Sequence, residues 1–132
     1  MIVLLDTSAL SKLLIEEAES RSLRNYLAQN TTPARTFVIS SLAVTELRRL
    51  TFRLGLEQPL ADEVLRPFTT LRLTEAVLQL AGRLPHRNLG TLDALHIGTA
   101  LIVEARVFVT YDARQAAAAA AEGLLVDSPG TA

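Results

Sequence analysis

The chain opens with MIVLLDTSAL (residues 1–10), in which a short apolar run ends at an acidic residue. Ile2–Leu5 is predicted to be a strand, and Asp6 follows it directly. The next residues, from about Thr7 to Ile15, are predicted to be helical, with a hydroxyl residue at the start that can cap the helix. The acid at this junction stands out, because carboxylates are almost never fully buried unless they are paired or bound to a cation.

The alternation of strands and helices continues along the chain. Further strands are predicted at Phe37–Ile39, Thr70–Leu73, Val107–Thr110 and Leu124–Val126. Further helices are predicted at Glu17–Gln29, from Ser40 or Ser41 to Leu54, at Ala61–Arg66, at Thr74–Leu84, from Thr91 to about Glu104, and at Ala113–Ala121. Strands that alternate with helices indicate βαβ units, so the fold class is α/β, with a parallel sheet covered by helices on both faces.

Composition narrows the class of protein. The 132 residues, 49% hydrophobic and 20% charged, suit one compact domain spanning residues 1–132. The absence of cysteine excludes disulfides, zinc–thiolate sites and cysteine nucleophiles. No apolar run reaches the ~18 residues of a membrane span, and the apolar N-terminus lacks the basic segment of a signal peptide. We therefore expect a cytoplasmic protein without membrane contact.

Four carboxylates lie in four separate pieces of the chain, each bordering or interrupting an apolar run: Asp6, Glu46, Asp93 and Asp112. In parallel sheets, ligands bind outside the carboxyl ends of the strands, where Asp6 and Asp112 are both predicted to lie. Asp93 is in the first turn of a helix that follows a loop, and Glu46 borders the apolar stripe of its own helix. These positions predict one shared acidic pocket.

Such a pocket requires a cation. Two carboxylates about 5 Å apart repel by roughly 3 kcal/mol at an effective dielectric constant of about 20. Mg²⁺ is the expected partner, with Mn²⁺ as a substitute, because both are hard ions that prefer oxygen ligands. A site of this kind activates a water and stabilises the leaving oxygen of a phosphodiester. Hydroxyl groups at Thr7, Ser8 and Thr110 can orient the ligands or waters.

Each acid also has a simpler structural explanation. The two aspartates that follow strands could cap the next helices, and Asp93 could interact with the helix dipole. Glu46 could pair with Arg49 on a solvated helix face. His96 lies in a helix that is apolar all round, so a hydrogen-bonded packing role is favoured there over metal binding. The coincidence of four acids favours the shared pocket.

Four segments carry a resemblance to a known family: LLDTSAL at Asp6, TEL at Glu46, LDALHIGTA at Asp93 and VTYDAR at Asp112. Their order and spacing resemble a PIN-domain ribonuclease, specifically a VapC-type toxin of a bacterial type II toxin–antitoxin system, over nearly the whole chain. The resemblance implies a three-layer α/β/α fold with a parallel five-stranded sheet, and cleavage of RNA by a metal-activated water. It implies that the four acids are the catalytic metal ligands, supported by Thr7 or Ser8 and by Thr110. It also implies a homodimer that is inhibited by a cognate antitoxin.

The sequence departs from the family in one respect. Some members carry a further acid shortly after the last one, whereas Ala113–Ala121 contains none. One bound ion is therefore expected, and the presence of a second stays open.

RNA binding requires positive charge, because phosphate contacts supply much of the affinity. The net charge of −1 provides no global field that attracts nucleic acid, so local residues must do so. The candidates near the carboxyl edge of the sheet are Lys12, Arg87 and Arg114.

Two other functions compete with an endoribonuclease. A degenerate PIN-like domain could act only through protein contacts, but all four acids are present. An acid-pocket phosphatase with an aspartyl nucleophile usually has a second aspartate two residues after the first, where this chain has Ser8. It also needs a downstream lysine, whereas Lys12 is the only lysine. The sequence therefore predicts a Mg²⁺-dependent endoribonuclease.

Overall fold

The computed structural model describes residues 1–131, which form five strands and seven helices, with one or two helices between successive strands. The strands are β1 (Ile2–Leu5), β2 (Thr36–Ser40), β3 (Thr69–Leu71), β4 (Val107–Val109) and β5 (Leu125–Asp127). The helices are α1 (Thr7–Leu14), α2 (Ser20–Gln29), α3 (Ser41–Arg53), α4 (Gln58–Leu65), α5 (Glu75–Ala81), α6 (Thr91–Ile102) and α7 (Ala113–Ala121). Within residues 1–131, no helix has the length and apolar character needed to cross a membrane.

The strands form one fully parallel sheet in the order β3-β2-β1-β4-β5. The central strand is β1, whose Leu4 pairs with Val38 of β2 on one side and with Phe108 of β4 on the other. Because the strands are parallel, their carboxyl ends meet at one edge of the sheet. Asp6 lies at that edge, and its amide donates a 3.2 Å hydrogen bond to the carbonyl of Val109. The predicted parallel five-stranded sheet is confirmed.

Both faces of the sheet are buried. Val3 and Leu5 pack into one apolar cluster with residues of α1 to α4, and Leu4 packs into a second cluster with residues of α6 and α7. Successive side chains of a strand point to opposite faces, which is why β1 contributes to both clusters. Full burial of each such side chain stabilises the fold by about 1.5–3 kcal/mol. The predicted three-layer α/β/α architecture is confirmed.

Several element boundaries differ from the sequence prediction, for local reasons. The second helix begins at Ser20 rather than at Glu17, because the amide of Glu17 donates to the Ser20 hydroxyl in a turn. The fourth helix begins at Gln58 rather than at Ala61, with a proline in its first turn, where a proline is tolerated. The sixth helix ends at Ile102, and Glu104 then adopts a positive φ of 56°.

Candidate active site

Asp6 is the most enclosed acid of the site, with no exposed surface. It follows β1 and caps α1, its Oδ1 accepting from the Ala9 amide at 3.0 Å and from the Ser8 hydroxyl at 2.7 Å. Its Oδ2 accepts from the Thr110 hydroxyl at 2.5 Å and from Nε2 of Gln115 at 2.7 Å. Burial raises the pKa of Asp6, while the hydrogen bonds from Thr110, Ser8 and Ala9 act in the opposite direction.

Glu46 lies in α3, and its carboxylate contacts two side chains of the site, Thr7 and His96. Its Oε1 accepts from the Thr7 hydroxyl at 2.7 Å and lies 2.7 Å from Nε2 of His96. Burial opposes ionisation, but the hydrogen bonds from His96 and Thr7 outweigh it and lower the pKa of Glu46. The alternative pairing with Arg49 is not formed; the Arg49 guanidinium lies 5.4 Å from the centre of the Phe52 ring instead. Glu46 is therefore held as an anion on the inner side of its helix.

Asp93 stands in the first turn of α6, as predicted, and is half-buried. Its Oδ1 accepts a 3.1 Å hydrogen bond from Nε2 of Gln115, the same nitrogen that donates to Asp6. Burial raises the pKa of Asp93, and repulsion by Asp112 and Glu46 adds to the effect. Asp93 is thus electrostatically coupled to Asp112 and Glu46, and it shares the Gln115 amide with Asp6.

Asp112 caps α7, its Oδ1 accepting from the amides of Arg114 and Gln115 at 2.9 and 3.0 Å. The capping explanation for Asp112 is therefore confirmed, as it is for Asp6. Capping and membership of an acidic site are not exclusive, because a carboxylate has about four lone-pair positions to share. The same cap directs the start of α7 toward Asp93, whose pKa Asp112 raises.

Hydroxyl groups tie these acids to the backbone. The Ser8 hydroxyl accepts from the amide of Tyr111 at 2.9 Å while it donates to Asp6. The Thr110 hydroxyl accepts from the amide of Asp112 at 3.0 Å while it also donates to Asp6. Each hydroxyl therefore positions Asp6 relative to the chain segment that follows β4. The structure places Thr7, Ser8 and Thr110 beside the acids, where the sequence predicted them.

Two residues of the site have a role that the sequence analysis missed. Gln115 is one of two long polar side chains, with Arg114, at the start of an otherwise alanine-rich helix, and that was the available signal. It is 3% exposed and bridges Asp6 and Asp93. The prediction that His96 is a hydrogen-bonded packing residue is confirmed, since it is 1% exposed, but its partner, the site carboxylate of Glu46, was not predicted from the sequence. Its position three residues after Asp93 in the same helix was the available signal, since that spacing places both on one side.

The side chains can be tested for their fit to a divalent cation. Among residues 1–131, no three Asp, Glu or His side chains stand close enough together to hold one ion as they are placed. The carboxylates accept hydrogen bonds from different elements instead: Glu46 contacts Thr7 of α1 and His96 of α6, and Asp112 accepts from two amides of α7. The donor set still fits a hard cation, because carboxylate and hydroxyl oxygens lie around the Gln115 amide that bridges Asp6 and Asp93. In addition, Oε1 of Gln115 is buried without a hydrogen-bond partner.

The three predicted RNA-binding residues have different surroundings. The Lys12 ammonium lies 2.9 Å from Glu19 and 3.6 Å from Glu17, and 5.3 Å from the centre of the Tyr111 ring. Because two carboxylates already neutralise it, the prediction that Lys12 grips RNA phosphate is not supported by its surroundings.

Arg87 and Arg114 line a cavity of about 280 Å³ together with His86, Asn88 and Leu89. His86 is itself held by Glu122, with 2.7 Å between Nε2 and Oε2. Arg114 lies close enough to Asp93 to lower its pKa, against the raising effect of burial. This cavity therefore adjoins the acidic site.

A second, larger cavity of about 640 Å³ lies elsewhere on the protein. It is formed between α1, α2 and α4 and the β2–β3 side of the sheet, with an apolar lining that includes Leu13, Leu27, Phe37, Val64 and Phe68. None of the four acids lines it. We call it the apolar groove.

Comparison with known proteins assigns a family to this fold and site. The PIN domain matches residues 3–121. Ribonuclease VapC47 of Mycobacterium tuberculosis (strain CDC 1551 / Oshkosh) is 36% identical over 135 residues, covering 98% of each chain. Ribonuclease VapC46 of Mycobacterium tuberculosis (strain ATCC 25618 / H37Rv) is 39% identical over 130 residues, covering 96% of this chain and 97% of the relative.

Solved structures share the fold at lower sequence identity. VapC20 of Mycobacterium tuberculosis, a toxin that cleaves the sarcin–ricin loop, has a TM-score of 0.74 at 16% identity, over 96% of this chain and 99% of that one. The VapBC-1 structure from nontypeable Haemophilus influenzae has a TM-score of 0.77 at 18% identity, over 97% and 98%. The chain belongs to the PIN-domain family, as a VapC-type PIN ribonuclease.

Proposed function

We propose that the protein is a Mg²⁺-dependent endoribonuclease, the toxin of a bacterial toxin–antitoxin pair. The observation that carries the proposal is the approach of Asp6 and Asp93 at the carboxyl edge of the sheet, where one amide nitrogen bridges them and the pKa of each is raised. Carboxyl groups in this state favour a divalent cation, which stabilises their ionised forms. A bound Mg²⁺, or Mn²⁺ in its place, would activate a water and stabilise the leaving oxygen of the phosphodiester.

The protein side chains divide the remaining work. Asp6 and Asp93 are the proposed principal ligands, and Glu46 and Asp112 complete the catalytic set from the flanking helices. Glu46 is held as an anion by His96 and Thr7, so it contributes negative charge at neutral pH. The absence of an acid between Asp112 and Glu122 supports one ion rather than two.

The cavity beside the acidic site is the proposed RNA-binding surface. Arg87 and Arg114 are both exposed at its rim, and guanidinium groups bind phosphate in a bidentate manner. Leu89 and Ala118 supply an apolar floor on which a base can rest. A substrate phosphate at the arginines would hold the neighbouring phosphodiester near Asp93.

An antitoxin is the proposed protein partner. Structural relatives include toxin–antitoxin complexes, such as VapBC2 from Rickettsia felis and VapBC-1 from Haemophilus influenzae. The apolar groove offers a surface on which an apolar segment of such a partner can be buried. A homodimer is proposed as well, supported by the exposed apolar side chains of Phe52, Leu54 and Leu56. The proposed location of the protein is the cytoplasm.

RNA cleavage by the purified protein tests this function. Cleavage is expected with Mg²⁺ or Mn²⁺ and is expected to stop with EDTA. Asp93→Asn should abolish it, whereas Asp62→Asn, which alters an exposed aspartate paired with Arg48, should cleave like the wild-type protein. Cleavage of the same rate by Asp93→Asn would overturn the metal-site assignment. Antitoxin binding by a wild-type protein that never cleaves RNA would favour the protein-binding alternative.

A further inference from the structure

The Gln115 amide occupies the place between two carboxylates where a cation is expected. Its Nε2 donates to Oδ2 of Asp6 at 2.7 Å and to Oδ1 of Asp93 at 3.1 Å. An amide nitrogen carries two hydrogens, so it can serve both acceptors at once. Gln115 thereby relieves part of the repulsion between the two acids without carrying a charge.

Asp6 has no acceptor position to spare. A carboxylate offers about four lone-pair positions, and here the two oxygens accept from Ser8, Ala9, Thr110 and Gln115. A cation that binds Asp6 must therefore displace one of these donors. The identity of the displaced donor decides how tightly the cation binds.

Three of the four donors are anchored elsewhere. The Ala9 amide belongs to the first turn of α1, which Asp6 caps. The Ser8 and Thr110 hydroxyls each accept a second hydrogen bond, from the amides of Tyr111 and Asp112. Moving any of these donors would disturb the backbone.

The Gln115 amide is anchored only by the two acids. Gln115 is only 3% exposed, and its buried Oε1 has no hydrogen-bond partner. A buried acceptor without a partner is unfavourable, so this end of the amide does not oppose rotation or withdrawal. A cation placed between Asp6 and Asp93 would also repel the positive end of the amide dipole.

We propose that Gln115 is a positioning residue that bridges Asp6 and Asp93 in the metal-free protein and is released from them when a divalent cation binds. This inference rests on the divalent cation of the proposed function. It follows that Gln115 has opposite effects on two measurable quantities. It stabilises the metal-free fold, and it weakens cation binding because its hydrogen bonds to the carboxylates must be broken first.

The test is a comparison of Gln115→Met with the wild-type protein. Methionine keeps the length and straight chain of glutamine and favours helix, but it cannot donate. In EDTA, the variant should unfold at a lower temperature, measured by circular dichroism. In titration calorimetry with Mn²⁺ and with Mg²⁺, it should bind with a Kd about tenfold lower, the order expected for one hydrogen bond to a charged group.

Two further variants make the result specific. Gln115→Leu should repeat both changes if methionine proves too disruptive to the fold. Gln79→Leu is the control, because it removes an exposed glutamine whose side chain bonds only Glu75 on the same helix. Its melting temperature in EDTA and its Kd for the cations should stay close to those of the wild-type protein. A role confined to packing would lower the melting temperature without tightening the binding of the ion.

The outcomes separate this inference from the proposed function. Unchanged or weaker cation binding by both Gln115 variants, while the wild-type protein binds Mn²⁺, would overturn the release of Gln115 and leave the metal site standing. Weaker binding would specifically indicate that the Gln115 side chain ligates the ion. A wild-type protein that binds neither ion would overturn both.

Discussion

Nε2 of His96 lies 2.7 Å from Oε1 of Glu46, and this contact joins α6 to α3 inside the acidic site. The same ring nitrogen lies 3.3 Å from the Thr7 hydroxyl, which also donates to Glu46. Since His96 is 1% exposed, its ring is enclosed by neighbouring side chains, and its contact with Oε1 orients the Glu46 carboxylate. The residue therefore acts on the site through Glu46.

His96→Leu should lower RNA cleavage by about 10–100-fold, the range for residues that orient a metal ligand. The pKa of Glu46, measured by NMR, should rise in the variant. Burial raises this pKa, and the hydrogen bond from His96 that counteracts it would be lost. His96→Gln keeps an amide donor and should recover part of the activity. Cleavage at the wild-type rate by His96→Leu would show that Glu46 needs no such support.

Asp93→Asn should stabilise the metal-free protein at neutral pH. Folding raises the pKa of Asp93 above its ordinary value of 3.8, through burial and then repulsion by Asp112. The ionised carboxyl is therefore destabilising, and this penalty is absent below pH 3.8, appears as the pH rises through 3.8, and is complete above the raised native pKa.

Thermal unfolding in EDTA across this pH range provides the measurement. The melting temperature of Asp93→Asn should exceed that of the wild-type protein by a few degrees at pH 7, and the two curves should converge toward acid pH. Asp62→Asn is the matched control. A constant difference at every pH would attribute the effect to packing rather than to ionisation.

Arg87→Ala and Arg114→Ala should each weaken RNA binding while leaving the Kd for Mn²⁺ nearly unchanged. If each arginine contacts one phosphate, each substitution should reduce the slope of log K against log salt by about 0.7–0.9. Filter binding with Asp93→Asn as the background avoids cleavage during the assay. Arg21→Ala, which alters an exposed arginine of α2, is the control and should leave the slope unaltered. An unchanged salt dependence would remove that arginine from the RNA-binding surface.

Lys12→Met should lower stability but leave RNA binding intact. The side chain of Lys12 is 15% exposed and pairs with Glu19, which is the main reason that its pKa is raised. Loss of an ion pair of this kind costs about 0.5–1 kcal/mol, or about 2–4 °C in melting temperature for a domain of this size. A marked fall in RNA affinity with no change in melting temperature would restore Lys12 to the RNA-binding surface.

The element order was predictable because it rests on local patterns. Apolar runs such as Ile2–Leu5 form strands that are buried on both faces, and Ser40 caps α3 as expected. Boundaries set by a single turn were less accurate, as at Ser20, where a side chain bonds the backbone of a residue before the helix. Patterns averaged over several residues survive such local exceptions, whereas individual helix ends do not.

The acidic site was predictable in its members but not in its present arrangement. The sequence alone determined that Asp6, Asp93 and Asp112 come to one edge of a parallel sheet, because strand ends and helix starts place them there irrespective of side-chain detail. It placed Glu46 with them because this residue borders the apolar stripe of its helix. Only the tertiary structure decided which donors take each carboxylate: His96 for Glu46, and Gln115 for Asp6 and Asp93. Those pairings join residues that are 50, 109 and 22 positions apart, the last across β4, which lies between α6 and α7 in the chain. They depend on the packing of helices onto the sheet, which no local pattern encodes.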